Sequence, residues 1–327
     1  MIEKYSNALE LRSMPEGKTI VFKSVLVVKR VDIRNAKNGS EFLKIEVGDK
    51  TSSFSFTCFE NSAIFNSFRG CNAGAIIFLE GMNRHYNGVF SPDILSARKL
   101  TETEIIDGNW KHRLTMISEE PVEELAKELN DYIAMITNEK LRNTVTEVLD
   151  ELGDKFINSV AAKSMHHAYK NGLLEHTVHV VRSGVALLKF YQNVPMDLAL
   201  AGMILHDVGK VPEYIGDVAV ERTKIGLLHG HVVLGYQLVR RFSLKNELEP
   251  EILDRLEHII LSHQGRLEYG AVVMPSTPEA IFVSLVDNLD AKMGMVSHLL
   301  RTTPVSQIFS EKFPGLESQL LVEPADL

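Results

Sequence analysis

The chain has 327 residues, 45% hydrophobic and 24% charged, an ordinary balance for a globular protein and enough length for two domains. Its two cysteines, Cys58 and Cys71, exclude a disulfide framework and fit a reducing compartment. The net charge of -8 counts against a polyanion partner only until its distribution is read, because residues 1–100 hold 14 Lys and Arg against 10 Asp and Glu.

No apolar run approaches the roughly 20 residues of a membrane span. The start, MIEKYSNALELRSM, has no apolar signal core. A cytoplasmic protein without a membrane partner is therefore expected.

The first hundred residues read as strands. Thr19 to Val31 is rich in Val, Ile and Phe, and Asn38-Gly39 marks a turn before Glu41 to Val47. Ser53 to Cys58 alternates polar with apolar, so Phe54, Phe56 and Cys58 share an inward face. Ala75 to Leu79 and Val89 to Leu95 follow, with Asn87-Gly88 turning between Tyr86 and Val89, and a short helix is expected near Asn61 to Phe68. About five strands with one short helix suit an oligonucleotide-binding (OB) barrel over residues 1–105, although an SH3-like barrel has the same pattern. Arg34, Lys37, Arg84 and Tyr86 fall in loops such barrels use to grip single strands, and Phe59 fits either a stacking surface or the core.

Residues 106–120 read as a linker, and from Pro121 the period becomes helical. Val178, Val181, Val185 and Leu188 share one face; Leu256, Ile259, Ile260 and His263 share another. Thr277 is a suitable N-cap with Pro278 at the first helical position. The helical domain is expected over 121–302, and the weakly patterned 303–327 as a tail. The fold class is thus mixed, with an N-terminal five-stranded barrel followed by an all-α domain.

Ten of the twelve histidines lie between His166 and His298. Several are set in apolar surroundings: His176 in LLEHTVHVV, His206-Asp207 at the end of LALAGMILHDVGK, and His263 at the end of LEHIILSHQG. Asp287 sits in IFVSLVDNLDAK. A carboxylate on an apolar face is costly unless a cation or hydrogen bonds compensate it. One such histidine is most simply a core residue; several helices each delivering an imidazole or carboxylate point to a metal centre. The mixed donor set suits a divalent ion, Mn²⁺ first and then Fe²⁺, Mg²⁺, Co²⁺ or Zn²⁺, and the lack of thiolates argues against a structural zinc site. A divalent ion there supports hydrolysis at phosphorus, and two ions stabilise both attacking and leaving oxygens. Lys210, one short turn after Asp207 with Gly209 at the bend, is placed to neutralise a phosphate oxygen.

The order H…HD…H…H…D resembles the HD-domain phosphohydrolases. The segments HHAYKNGLLEHT, LHDVGK, GHVVLG, IILSHQG and VDNLDAKM behind an OB-like module resemble, more closely, the YhaM-type 3′-5′ exoribonucleases. That resemblance implies His176, His206, Asp207 and Asp287 as the core metal set, with His231 and His263 as ligands for a second ion. It implies single-stranded RNA as substrate, with single-stranded DNA and a homo-oligomeric assembly left open. Where the family commonly has a second histidine after His263, this chain has Gln264, a poor ligand for these metals; Phe59 stands where a tryptophan is common.

His166 and His167 lie in the family motif and are assigned to the surroundings of the metal. His179 reads as a solvated helix face, and His229, His258 and His298 as ordinary. Glu175 fits either an orienting carboxylate or a surface residue. Two rival readings are a phosphohydrolase of free nucleotides, which has no need of the barrel, and a single-strand DNA-binding factor with a structural helical domain, which has no need of six polar ligands.

Overall fold

Long β-branched runs and tight polar turns build the N-terminal sheet: β1 (Val21–Asn35), β2 (Glu41–Gly48), β3 (Ser53–Phe59), β4 (Ile76–Met82) and β5 (Asp93–Lys99). The computed structural model describes residues 5–36, 39–116, 118, 120–162, 169–216, 220–304, 307–313 and 315–323. The sheet is antiparallel throughout in the order β3-β2-β1-β4-β5. No pairing joins β3 to β5 among the described residues, which gives the partly open form of an OB-like module. Between Val28 and Arg30 the register with β2 shifts, a bulge of the kind that sharpens strand twist.

The alternation expected in β3 is present, with Phe54, Phe56 and Cys58 buried beside Leu43, Ile45, Val47 and Leu79. Phe65 and Phe68, from helix Phe65–Arg69, enter the same core. Asn87 and Gly88 both have positive φ, 51° and 75°, as a two-residue hairpin turn requires. One expected strand is divided. Val89–Phe90 pairs with His85–Tyr86, whereas the long strand begins only at Asp93. Pro92 separates them because it has no N–H to offer a ladder.

Contacts divide the chain into two units: Met1–Met116 with Val296–Leu327, and Ile117–Met295. In the first unit, helix Trp110–Leu114 lies inside the stretch that reads as a linker, with Trp110 buried edge-on to Tyr5. The C-terminal stretch also belongs to this unit, where Glu311 accepts a hydrogen bond from Arg12 at 2.8 Å.

The second unit is helical. Val122–Ala134 buries Leu125, Leu129 and Ile133 at four-residue spacing, and Glu139–Leu152 buries Leu141, Val145 and Val148. Gly172–Leu188 turns Val178 and Val181 into the same core, and Met196–Leu205 is apolar on every face after Asp197 and buried from Leu198 on. Lys224–Lys245 is broken at Gly230, whose φ of 70° no helix adopts, so a new helical segment starts at His231. Pro250–Ser262 and Pro278–Thr302 follow; the Thr277 hydroxyl accepts from the Ala280 N–H at 3.4 Å, as expected of its cap position. Among the described residues no helix is long and apolar enough to cross a membrane.

Candidate metal centre

Helix ends and two helix interiors bring the site together. His206 and Asp207 follow the buried Met196–Leu205 helix, His263 closes Pro250–Ser262, His231 opens the segment after Gly230, and His176 and Asp287 project from within helices. His176, His206, Asp207 and His263 are almost wholly buried.

In three of the four imidazoles Nδ1 hydrogen-bonds an acceptor, Asp290 Oδ2 at 2.7 Å for His176, the Met203 carbonyl at 2.8 Å for His206 and the Ile260 carbonyl at 2.7 Å for His263; His231 Nδ1 lies 2.9 Å from Glu213 Oε2, which is buried without a hydrogen-bond partner. Since carbonyls and carboxylates only accept, a neutral ring held in this way carries its hydrogen on Nδ1 and its lone pair on Nε2. The Nε2 atoms converge. That of His176 lies 3.2 Å from His206 Nε2, 3.2 Å from Asp287 Oδ1 and 3.5 Å from Asp207 Oδ2. That of His206 is 3.3 Å from Asp207 Oδ2. On the other side, His231 and His263 point Nε2 at Asp207 Oδ1, at 3.6 and 3.5 Å.

Asp207 thus divides its oxygens between two pockets, one with His176, His206 and Asp287, the other with His231 and His263. Its Oδ1 is buried without a hydrogen-bond partner, and facing lone pairs repel. A divalent cation in the second pocket satisfies Oδ1, and one in either pocket relieves the lone pairs facing it, so the donor chemistry fits such an ion.

The electrostatics are strongly coupled. Burial opposes the charge on Asp207, but Lys210, whose Nζ is 2.5 Å from Oδ2, and the neighbouring imidazoles hold its carboxyl well below the ordinary range. Asp287 is held to about 2 against burial, chiefly by the hydrogen bond with His176. Burial pushes the His176 ring toward neutrality, yet Asp207, Asp287 and Asp290 outweigh it and keep its pKa well above the ordinary imidazole value. Lys210 is buried, and its ammonium faces Asp207.

Gln264 sits over the second pocket, with Nε2 3.0 Å from His263 Nε2 and 3.3 Å from His231 Nε2. Gly209 has an ordinary helical φ of -67°, so its role differs from the bend expected of it. A Cβ there would stand 1.9 Å from the His231 carbonyl oxygen.

His179 also departs from expectation. It is half-buried rather than on a solvated face, with Nε2 2.5 Å from Glu120 Oε1 and Nδ1 3.5 Å from Asp290 Oδ1. Glu175 is buried and accepts from the Tyr169 hydroxyl. His229 is exposed, and His258 accepts from the Ser276 N–H. His166, His167 and Lys37 lie outside the described residues.

Two further carboxylates belong to the site, and neither is marked by an apolar run in the sequence. Asp290 follows Asp287 by three residues on one helix face, a spacing visible in VDNLDAK. Glu213 follows Lys210 by three and is nearly inaccessible, facing Arg222 and His231.

In the N-terminal unit, Tyr86 is 74% exposed on its hairpin and Phe59 58% exposed at the end of β3. Arg34 lies 3.5 Å from Asp32, and Arg84 pairs with Asp93.

Residues 173–292 match the HD domain family. The chain is similar along most of its length to proteins named 3′-5′ exoribonuclease YhaM. That of Shouchella clausii is 29% identical over 304 residues, 92% of each chain. That of Listeria monocytogenes serotype 4b is 28% identical over 299 residues, 91% of this chain and 94% of the relative. That of a Geobacillus species is 28% identical over 301 residues, 91% of this chain and 90% of the relative.

Proposed function

We propose, on the premise that this chain is an HD-domain protein of the YhaM type, that it is a metal-dependent 3′-5′ exoribonuclease acting on single-stranded RNA. The observation that carries the chemistry is the convergence of four imidazole Nε2 atoms on Asp207, whose Oδ1 is buried and unsatisfied.

His176, His206, Asp207 and Asp287 form the first metal pocket in this reading, and Asp207, His231 and His263 the second, with Mn²⁺ as the preferred ion. A bound divalent cation supplies a more acidic water and positive charge beside the phosphoryl oxygens. The protein's part is to direct the Nε2 lone pairs inward through their Nδ1 acceptors and to place one Asp207 oxygen in each pocket. Lys210 compensates the buried Asp207 and, with substrate bound, neutralises a phosphate oxygen. The OB-like unit grips the strand through Arg34, Lys37, Arg84, Phe59 and Tyr86, supported by the basic excess in residues 1–100 and by the exposure of both aromatic rings. The absence of a disulfide framework supports a cytoplasmic setting.

The test is incubation of the purified protein and Mn²⁺ with 5′-labelled single-stranded RNA, single-stranded DNA and nucleoside triphosphates. Progressive shortening of RNA from the 3′ end is expected. Hydrolysis of triphosphates alone would point to a nucleotide phosphohydrolase, and retention of DNA without cleavage to a binding factor.

A further inference from the structure

We infer that Asp290 is a positioning residue for the metal pocket, fixing His176 so that its Nε2 faces Asp207 and Asp287. The inference rests on the metal-centre reading above and adds a residue outside the ligand set.

The reason for a dedicated partner lies in where His176 sits. His206 and His263 stand at helix C-termini, and each donates Nδ1–H to a carbonyl three residues back, Met203 and Ile260. Last-turn carbonyls have no intrahelical donor, so they are available for this. His176 lies inside Gly172–Leu188, where the helix itself uses its carbonyls. Its Nδ1 needs an acceptor from another element, and Asp290 of Pro278–Thr302 supplies one at 2.7 Å.

Asp290 is one turn beyond Asp287, so a single helix presents both the proposed ligand and the carboxylate that aims its neighbour. Its position is itself fixed. Oδ1 lies 3.5 Å from His179 Nδ1, the other nitrogen of His179 meets Glu120, and Glu120 accepts from Arg182 at 2.8 Å. A charged acceptor also makes His176 a stronger donor than a carbonyl would. The sequence Arg182, Glu120, His179, Asp290, His176 therefore runs from half-exposed guanidinium to buried ligand nitrogen.

Metal-stripped parent, Asp290→Ala and Asp290→Asn proteins should be titrated with manganese(II) chloride by calorimetry, and their cobalt(II) d–d spectra compared. Asp290→Ala should bind the tighter ion about 10–100-fold more weakly, with an altered cobalt spectrum. Asp290→Asn, which keeps an acceptor oxygen, should recover most of the affinity and the parent spectrum. Parent-like affinity and spectrum in Asp290→Ala would overturn the inference, as would an Asn variant as impaired as the Ala variant. Should Asp290→Ala fail to fold, ¹⁵N imidazole NMR of the zinc-loaded parent decides: a hydrogen on Nδ1 of His176 and none on Nε2 is expected, and a hydrogen on Nε2 with metal on Nδ1 would overturn it. A parent that binds neither ion sinks the metal-centre reading itself, a result distinct from a metal-binding parent with indifferent variants.

Discussion

Gly209 lies against the carbonyl of His231 so closely that a Cβ on it would stand 1.9 Å from that oxygen and 2.5 Å from the Gly235 nitrogen. These backbones bring the HD dipeptide and the segment starting at His231 within reach of one another, and neither is a flexible side chain able to yield. Gly209→Ala should destabilise the protein by about 1–3 kcal/mol, the range for forcing an extra methyl into a packed site. It should also weaken metal binding where His231 contributes. Chemical denaturation and Mn²⁺ titration check both effects; a parent-like midpoint would show that the two backbones part at little cost.

Asp207 and Lys210 form a buried pair, so removing the carboxylate has two separable effects. Asp207→Asn should eliminate Mn²⁺-dependent RNA cleavage, and it should destabilise the fold by about 3 kcal/mol because it leaves a buried ammonium without its partner. The double variant Asp207→Asn with Lys210→Met should regain stability while remaining inactive. Recovery of cleavage in the double variant would remove Asp207 from the proposed centre.

Neutralising Arg34, Lys37 and Arg84 together should weaken binding to long single-stranded RNA and lower the slope of log affinity against log salt by about 0.7 for each phosphate these side chains neutralise. Arg34 and Arg84 already face Asp32 and Asp93, so their contribution depends on exchanging a carboxylate for a phosphate. Hydrolysis of a phosphodiester too small to reach the sheet should be unchanged. An unaltered salt slope, or equal impairment on small and long substrates, would assign RNA capture to the helical unit.

Glu120 offers a test by pH. Hydrogen bonds from Arg182, and after them from His179, hold its carboxyl at about 2 against the effect of burial. A depressed carboxyl stabilises the fold above the ordinary carboxylate range. That stability is lost as pH falls from about 4.5 toward 2. Glu120→Gln should flatten the decline in melting temperature across that window. An identical acid slope in the variant would show that Glu120 titrates alike in folded and unfolded chains.

The features legible in the sequence are those with a local signature. Phe54, Phe56 and Cys58 alternate, and the alternation alone sets their shared buried face. His206 and His263 end apolar runs, so their burial follows from their neighbours. Asp290 and His179 carry no such signal: an acidic residue and a histidine on long helices look solvated until the helices that cover them are placed. Gly209 suggests a bend because glycine often permits one, whereas its real constraint, a backbone from a distant segment, leaves no local trace. Helix Trp110–Leu114 is too short for periodicity to reveal.

With Oδ2 directed at His176 and His206 and Oδ1 at His231 and His263, Asp207 is shared by the two pockets. A cation drawn to one oxygen withdraws electron density from the other, while fixing the carboxylate plane for a second guest. The first effect disfavours the next ion and the second favours it. By linkage, whatever the first ion does to the affinity of the second, the second does equally to the first. Two ions held there would share one carboxylate, and the balance of these effects would set the shape of their binding isotherm.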